Sequence, residues 1–236
     1  MSDHEVRLTQ MESWYSSLLA GGTDHAARQF LSDYEPHADV LARLKGRVLD
    51  VGGGAGLAAR FLRPNVDYVV VDPSRLWASG PWQAFSDSFR GNGPAASFVE
   101  ASAEALPFET GSFDAVIALW SLNHVSKPET CMTEMIRVLT RGGCAYMILE
   151  DIEPRWTDII RDVPVRIAAK LGGRGHKAQI HQPLLPAISA KLQHRWPVQE
   201  DHLPVDEREL MRWAEPLRLI SRRWMAGSLA LEFRKS

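Results

Sequence analysis

The sequence is short of several things, and each shortage excludes a class of protein. Of its 236 residues only two are cysteines, Cys131 and Cys144. Two thiols make no disulfide framework, and without a Cys-x-x-Cys pair there is no cysteine zinc site. Charge of one sign is also missing, since 27 Lys+Arg face 29 Asp+Glu for a formal net charge of -2. Such a balance argues against coating nucleic acid, which requires clustered cations. Long hydrophobic runs are absent: stretches such as Ala115 to Trp120 fall far short of the roughly 20 apolar residues that cross a bilayer. The opening MSDHEVRLTQ lacks a basic region followed by an apolar one, which predicts no secretory leader and a cytoplasmic protein. There is no internal repeat and no low-complexity run.

What remains is an ordinary globular composition, 45% hydrophobic and 24% charged, at a length that suits one large α/β domain as well as two small ones. The first 45 residues read as a helical cap, with pieces over Thr9 to Ala20, His25 to Leu31 and Pro36 to Leu44. From 46 to 150 the pattern becomes short apolar strands alternating with helices. The strands expected are Arg47–Val51, Tyr68–Asp72, Ser97–Glu100, Phe113–Trp120 and Ala145–Glu150. The helices expected between them cover Ala55–Phe61, Ser74–Phe89, Ala103–Leu106 and Pro128–Leu139. The last would carry a capping box, Ser126 with Glu129, and stop at Gly142-Gly143. Strands apolar throughout and followed by helices imply a doubly wound, mostly parallel sheet covered on both faces. Residues 151–205 break the alternation and read as a helical insertion with Gly172-Gly173-Arg174-Gly175 at its centre. Residues 206–236 finish the domain with a terminal helix and an antiparallel strand pair, Leu217–Arg223 and Ser228–Arg234, giving a seven-stranded α/β fold.

The strongest local signal is Val48-Leu49-Asp50-Val51-Gly52-Gly53-Gly54-Ala55-Gly56, a buried strand running through glycines into a helix. Such a turn lets a ligand approach the main chain, and a helix start offers free N–H groups. Twenty residues after Gly52 stands Asp72, closing the next strand, where a carboxylate can accept from both ribose hydroxyls of a nucleoside. Gly54-Ala55-Gly56-Leu57-Ala58-Ala59 also fits a dinucleotide fingerprint, which leaves a nicotinamide-dependent oxidoreductase as an alternative. Asp50 decides between them by charge. A carboxylate at the strand end repels a pyrophosphate and favours a ligand with an ammonium group and a sulfonium centre, S-adenosylmethionine.

These residues, with those that follow, resemble the class I S-adenosylmethionine-dependent methyltransferases, in the branch of ubiquinone/menaquinone-type and natural-product enzymes. Val48–Gly56 is similar to the family's first motif and Val71-Asp72-Pro73-Ser74 to its ribose-binding second. Ala101 to Phe108, Gly111 to Ile117 followed by Leu122-Asn123-His124-Val125, and Glu134 to Gly143 resemble three further motifs, in order. The resemblance implies S-adenosyl-L-methionine as cofactor, held by Asp50, Gly52, Gly54, Gly56, Asp72, Pro73, Ser102, Ala103 and Leu119. One position departs from the pattern: Ser102 stands where the family's adenine-binding Asp falls. A hydroxyl still accepts a hydrogen bond but the charge is lost, and the Ala103 N–H and Glu104 stand beside it. The resemblance places the methyl group near Leu119, Trp120, Asn123 and His124. His124 is then a candidate base, with His176 and His181 as rivals.

An acceptor pocket is expected from Trp14, Tyr15, Trp120, Asn123 and His176, with Trp156 and Trp196 nearby. Their aromatic faces suit a small aromatic or hydrophobic molecule as the methyl acceptor. Six basic residues (Arg155, Arg161, Arg166, Lys170, Arg174 and Lys177) against Asp158 and Asp162 are either a solvated helix face or a contact for an anionic acceptor. No metal, nucleic-acid or membrane partner is expected. The attacking atom and the oligomeric state stay open, as does a role in sensing the cofactor or in a reaction other than methyl transfer.

Overall fold

The structure, a computed structural model, describes residues 3–161, 184–193, 198–199, 202–225 and 228–236. Its centre is a seven-stranded sheet in the order β3-β2-β1-β4-β5-β7-β6. The strands are β1 (Arg47–Val51), β2 (Asp67–Asp72), β3 (Ala96–Glu100), β4 (Phe113–Leu119), β5 (Leu139–Leu149), β6 (Leu217–Met225) and β7 (Ser228–Lys235). β1 to β5 run parallel, and β7 lies antiparallel between β5 and β6. Because β1 is flanked by β2 on one side and β4 on the other, the strand order reverses there, which is where open α/β sheets bind their ligands.

The alternation of strand side chains builds two cores. Val48, Tyr68, Val70, Ala115, Ile117, Tyr146 and Ile148 face one side, and Leu49, Val51, Val69, Val71, Val116, Ala145 and Met147 face the other. On the first side lie α1 (Asp3–Ala20), α2 (Thr23–Tyr34), α3 (Ala38–Leu41) and α4 (Gly80–Arg90), with Phe30, Trp82, Phe85 and Phe89 forming an aromatic floor. On the second lie α5 (Pro128–Val138) and, further along the chain, α7 (Glu207–Trp213). A helix α6 (Leu184–Leu192) belongs to the insertion, whose centre, with His176, His181 and Gly172 to Gly175, lies outside the described residues, as does Trp196.

Five expectations need correction. Ser74–Phe89 is not one helix: a 3-10 turn over Arg75–Ala78 and α4 are separated by the extended Ser79. Ala55–Phe61 is not an α-helix but a 3-10 turn over Leu57–Phe61, because Gly56 sits in the left-handed region at φ 71° and Leu62 is already extended. Ala103–Leu106 forms only a turn, closed by the Ala105 N–H on Ser102 O at 3.1 Å. The capping box fails because Pro128 takes the first helical position, so Lys127 is the cap residue and Ser126 lies one step outside. The Glu104 carboxylate accepts from the N–H groups of Ser126 (2.9 Å) and Lys127 (3.2 Å) instead. Finally, Gly142-Gly143 does not stop the helix. It ends at Val138, and the glycines lie inside β5, where pairing with β4 jumps from Phe113↔Leu139 to Ala115↔Cys144.

Candidate functional site

The C-terminal ends of β1 and β2 carry the glycine loop and two carboxylates. The loop needs its glycines for space: a Cβ on Gly52, at φ +66°, would meet Ser121 Cβ at 2.5 Å, and one on Gly53 would meet Asp50 Cγ at 2.4 Å. Gly54 is roofed by the Trp77 indole, 3.2 Å from where its Cβ would be. Tyr15 of α1 meets Trp77 edge-on with ring centroids 4.9 Å apart, and Glu12 accepts from the Ser74 hydroxyl at 2.5 Å, so the N-terminal cap closes over this end.

Asp50 is 1% exposed. The Tyr68 hydroxyl donates to its Oδ2 at 2.5 Å, while Oδ1 is buried with no hydrogen-bond partner. Burial pushes the Asp50 pKa up to about 7, with Asp72 adding to the rise and the Tyr68 hydrogen bond opposing it. An orphaned buried carboxylate oxygen is costly, and a cation is the group that best relieves it. Asp72 accepts from the Gly54 N–H (3.1 Å) and the Ser74 N–H (2.9 Å). Burial raises its pKa, and those two N–H groups oppose the rise. The Trp77 indole N–H also pulls it down but makes no hydrogen bond of ordinary geometry. Pro73 is exposed next to Asp72, and Leu119 is buried at the end of β4.

The Gly54-to-Ala59 reading loses its physical basis here. A dinucleotide's pyrophosphate sits on an α-helix N-terminus, and a 3-10 turn of five residues provides none. The residues present do fit S-adenosylmethionine: an unpaired buried carboxylate oxygen for its ammonium, a glycine cradle, and an acid at the end of β2 for the ribose.

The ends of β4 and β5 are arranged differently. Trp120 holds φ 58°, an uncommon conformation for a large side chain, and packs edge-on against Tyr34 (5.1 Å) and His37 (5.7 Å). Asn123 is fully buried, and its side chain serves main chain only: Nδ2 donates to Glu150 O and Leu203 O, and Oδ1 accepts from Glu150 N. His124, half-buried, meets the His202 ring edge-on at 4.5 Å. His202 in turn bonds Asp151 through Nδ1 at 2.7 Å, and Asp151 itself sits at φ 55°. Of the expected tryptophans, Trp14 is 55% exposed beside Tyr15, and Trp156 is 46% exposed beneath Lys191. Of the basic stretch, Arg155 pairs with Glu207, and Asp158 is held by Arg222 in a bidentate pair. Among the described residues no group of His, Cys, Asp and Glu forms a metal site, and no helix is long and apolar enough to cross a membrane.

Several site residues carried no sequence signal. Tyr68 reads as one more apolar strand residue, and only the parallel register Val48↔Tyr68 brings its hydroxyl to Asp50. His202 and Asp151 lie 51 positions apart and meet only in the fold.

The strand order, with the glycine loop and Asp72 at the strand ends beside the switch point, is an arrangement in which open α/β sheets bind nucleotides. Residues 49–147 match the family model described as a methyltransferase domain. A relative from Mycolicibacterium gilvum, named an uncharacterized methyltransferase, is 40% identical over 103 residues, 42% of this chain and 37% of that protein. The ubiquinone/menaquinone biosynthesis C-methyltransferase UbiE of Rhizobium johnstonii is 37% identical over 109 residues, 44% of this chain and 41% of the relative. The chain thus spans about two fifths of the length of these relatives. A solved S-adenosylmethionine-dependent methyltransferase from Aquifex aeolicus superposes with a TM-score of 0.55 over 87% of this chain and 92% of that one, at 15% identity. Over residues 49–147 the chain is thus similar to the methyltransferase domain, and its fold is similar to that of the Aquifex aeolicus enzyme.

Proposed function

We propose that the protein transfers the methyl group of S-adenosylmethionine to a small aromatic or hydrophobic molecule in the cytoplasm. The observation that carries the cofactor half of this reading is the unpaired buried oxygen of Asp50 under the glycine loop, with Asp72 one strand away. Asp50 answers the ammonium, Asp72 answers the ribose hydroxyls, and Gly52, Gly54 and Gly56 let the ligand come close to the main chain. When bound, the cofactor supplies an electrophilic methyl on a sulfonium.

The acceptor half rests on the walls beside Leu119. Trp120, half-buried just past the end of β4 and braced edge-on by the buried Tyr34, suits a flat apolar acceptor. His124, next to the imidazole of His202, is the group we assign to taking a proton from an acceptor hydroxyl or amine. Asn123 supports this wall by fixing the main chain at Glu150 and Leu203 rather than by touching the acceptor. The matched relatives share the cofactor core, residues 49–147, so the carbon acceptor in the name of UbiE does not transfer with the match. Substrate choice is assigned to what lies outside that core, residues 1–45 and 151–205.

Calorimetry on the full chain tests the reading. S-adenosylhomocysteine, the demethylated product, is expected to bind in the micromolar range, and Asp72→Ala to weaken it by roughly 1.5–3 kcal/mol, the loss of a hydrogen bond to a charged group. Unchanged affinity in that variant would remove the ribose assignment. Shortening the chain between Pro154 and Arg195 is expected to abolish methyl transfer while cofactor binding persists. Full turnover by the shortened, folded protein would remove the acceptor role of that stretch.

A further inference from the structure

The N-terminal cap meets the sheet through a buried polar pair that the roles assigned so far leave unused. His37 ends the 3-10 turn Glu35–His37 and is 4% exposed. Its Nδ1 lies 2.6 Å from the hydroxyl of Tyr146, a fully buried residue inside β5 and 109 positions away. The imidazole also stands edge-on to Trp120, with ring centroids 5.7 Å apart. Tyr34, three residues earlier, meets the same indole edge-on, and burial followed by the charge of Asp50 raises its hydroxyl pKa. Residues 34–37 thus join Asp50, Trp120 and β5.

The chemistry of the pair fixes its protons. Burial pushes the Tyr146 hydroxyl up to about 12; the Arg223 guanidinium of β6 opposes the rise, and the Asp39 and Glu232 carboxylates add to it. Burial likewise pushes His37 down to about 4, with Arg223 adding to the fall and Asp39 opposing it. Arg223 is itself paired with Asp39 at 3.6 Å. At neutral pH the pair is therefore a phenol and a neutral imidazole, which has one N–H and one bare nitrogen. A phenol proton sealed in the core needs an acceptor, and a guanidinium can only donate. Among the described residues the acceptor found for that proton is His37 Nδ1. Tyr146 donates to it, and the proton of the imidazole sits on Nε2. Among the described residues no acceptor is bonded to Nε2, nor is that atom one of the sealed polar atoms without a partner. It is a donor left to a ligand.

Resting on the reading of this rim as the acceptor site, we propose that His37 selects the methyl acceptor by donating its Nε2–H to a carbonyl oxygen conjugated with the acceptor's ring. Tyr146 is the positioning residue that fixes the imidazole proton on Nε2. Trp120 and Tyr34 reward a flat ring, and an N–H among aromatic rings is costly when it is left unmade. A ring with such an oxygen answers the donor, a plain hydrocarbon leaves it unpaired, and an ammonium sets N–H against N–H.

Nitrogen NMR on the full chain, labelled in histidine and saturated with S-adenosylhomocysteine, tests this with two flat probes. These are acetophenone and α-methylstyrene, the second carrying a methylene in place of the carbonyl oxygen. The His37 ring is expected as the Nε2–H tautomer, silent between about pH 6 and about pH 8. Tyr146→Phe is expected to mix the two tautomers. Acetophenone should shift the Nε2–H signal and α-methylstyrene should not. The ratio of the two affinities, ketone over alkene, is expected to fall about tenfold in His37→Phe, the effect of one hydrogen bond, and part of that way in Tyr146→Phe. The ratio is the readout because a merely structural role for either residue would weaken both probes alike. A proton on Nδ1 in the wild type overturns the proposal without any variant, and so does an unchanged ratio in His37→Phe; the acceptor rim stands in both cases. If neither probe binds the cofactor-loaded wild type, the acceptor reading fails and takes this proposal with it.

Discussion

The two halves of the sheet's C-terminal rim are built on opposite principles. At the ends of β1, β2 and β3 the polar groups have capacity left over: Asp50 keeps an unpaired oxygen, and the Ser102 hydroxyl, which donates to Glu104 and accepts from its N–H, keeps a lone pair. At the ends of β4 and β5 the polar side chains are committed to the fold. Asn123 is consumed by Glu150 and Leu203, and Asp151 by Gln199 and His202. The first half carries an electrostatic cost that a ligand can relieve. The second half spends its side chains on positioning the loop that carries Trp120 and His124, to which the proposal assigns the acceptor. A domain can keep its cofactor rim constant while the acceptor rim is rebuilt from distant segments.

The largest effect that would sharpen this contrast comes from Asp50→Asn. The folded carboxyl, near 7, binds a proton that the unfolded chain has already released at its ordinary value near 3.8. Folding stability therefore falls as pH rises from about 4 to 7 and stays flat above, by an amount on the order of 4 kcal/mol. Asparagine keeps an acceptor for Tyr68 and removes the titration. Thermal melts at pH 8 should show the variant more stable than wild type, while its affinity for S-adenosylhomocysteine drops at least about 100-fold, the loss expected when a cation's partner is removed. A variant that gains stability and still binds would detach Asp50 from the cofactor.

Gly52→Ala strikes the seam between the halves. Its Cβ would sit 2.5 Å from Ser121 Cβ at a backbone angle of +66°, so strain and clash together are expected to cost about 3 kcal/mol of stability. Chemical denaturation measures this, and a loss under 1 kcal/mol would mean that β1 and β4 separate more easily than the contact implies. Asn123→Ala removes the buried side chain's three hydrogen bonds to the main chain of Glu150 and Leu203 and is expected to cost about 2–3 kcal/mol of stability. Its affinity for S-adenosylhomocysteine, measured on the folded fraction, should match wild type, since the side chain belongs to the acceptor wall. The smallest change is Asp151→Asn. Asparagine tolerates the positive φ but surrenders the charge facing His202, a loss of about 1 kcal/mol that would vanish if the pair were a surface ornament.

The legibility of the sequence divides along the same line. The glycine loop and Asp72 are read from residues a strand and a turn apart, because a buried strand, a glycine run and a terminal acid are local patterns. The sheet's parallel core and antiparallel finish follow from apolar strands of the right spacing, and the observed order agrees. The helix expected after Gly56 failed because the left-handed glycine leads into only five residues before the chain turns extended. The capping box failed because Pro128 makes Lys127 the cap residue, and the N–H groups there are answered by a carboxylate 22 residues before Ser126, Glu104, which no local motif announces. Tyr68 and His202 were silent for the same reason: their partners are fixed by register and by loop return. Trp14, Trp120 and Trp156, alike in composition, take an exposed helix position, a strand end and a site under a lysine, differences that no count of aromatics carries.

The central claim is that the buried Asp50 carboxylate is the counter-ion for the cofactor's ammonium. Proton release on binding tests it most directly, by titrating S-adenosylhomocysteine calorimetrically at pH 7 in two buffers of different ionisation enthalpy. With a free-state pKa of about 7, Asp50 is half protonated, and a bound cation that ionises it should expel about 0.5 proton per ligand. The release should fade toward pH 8.5 and disappear in Asp50→Asn. Tight binding at pH 7 with no proton released would contradict the account.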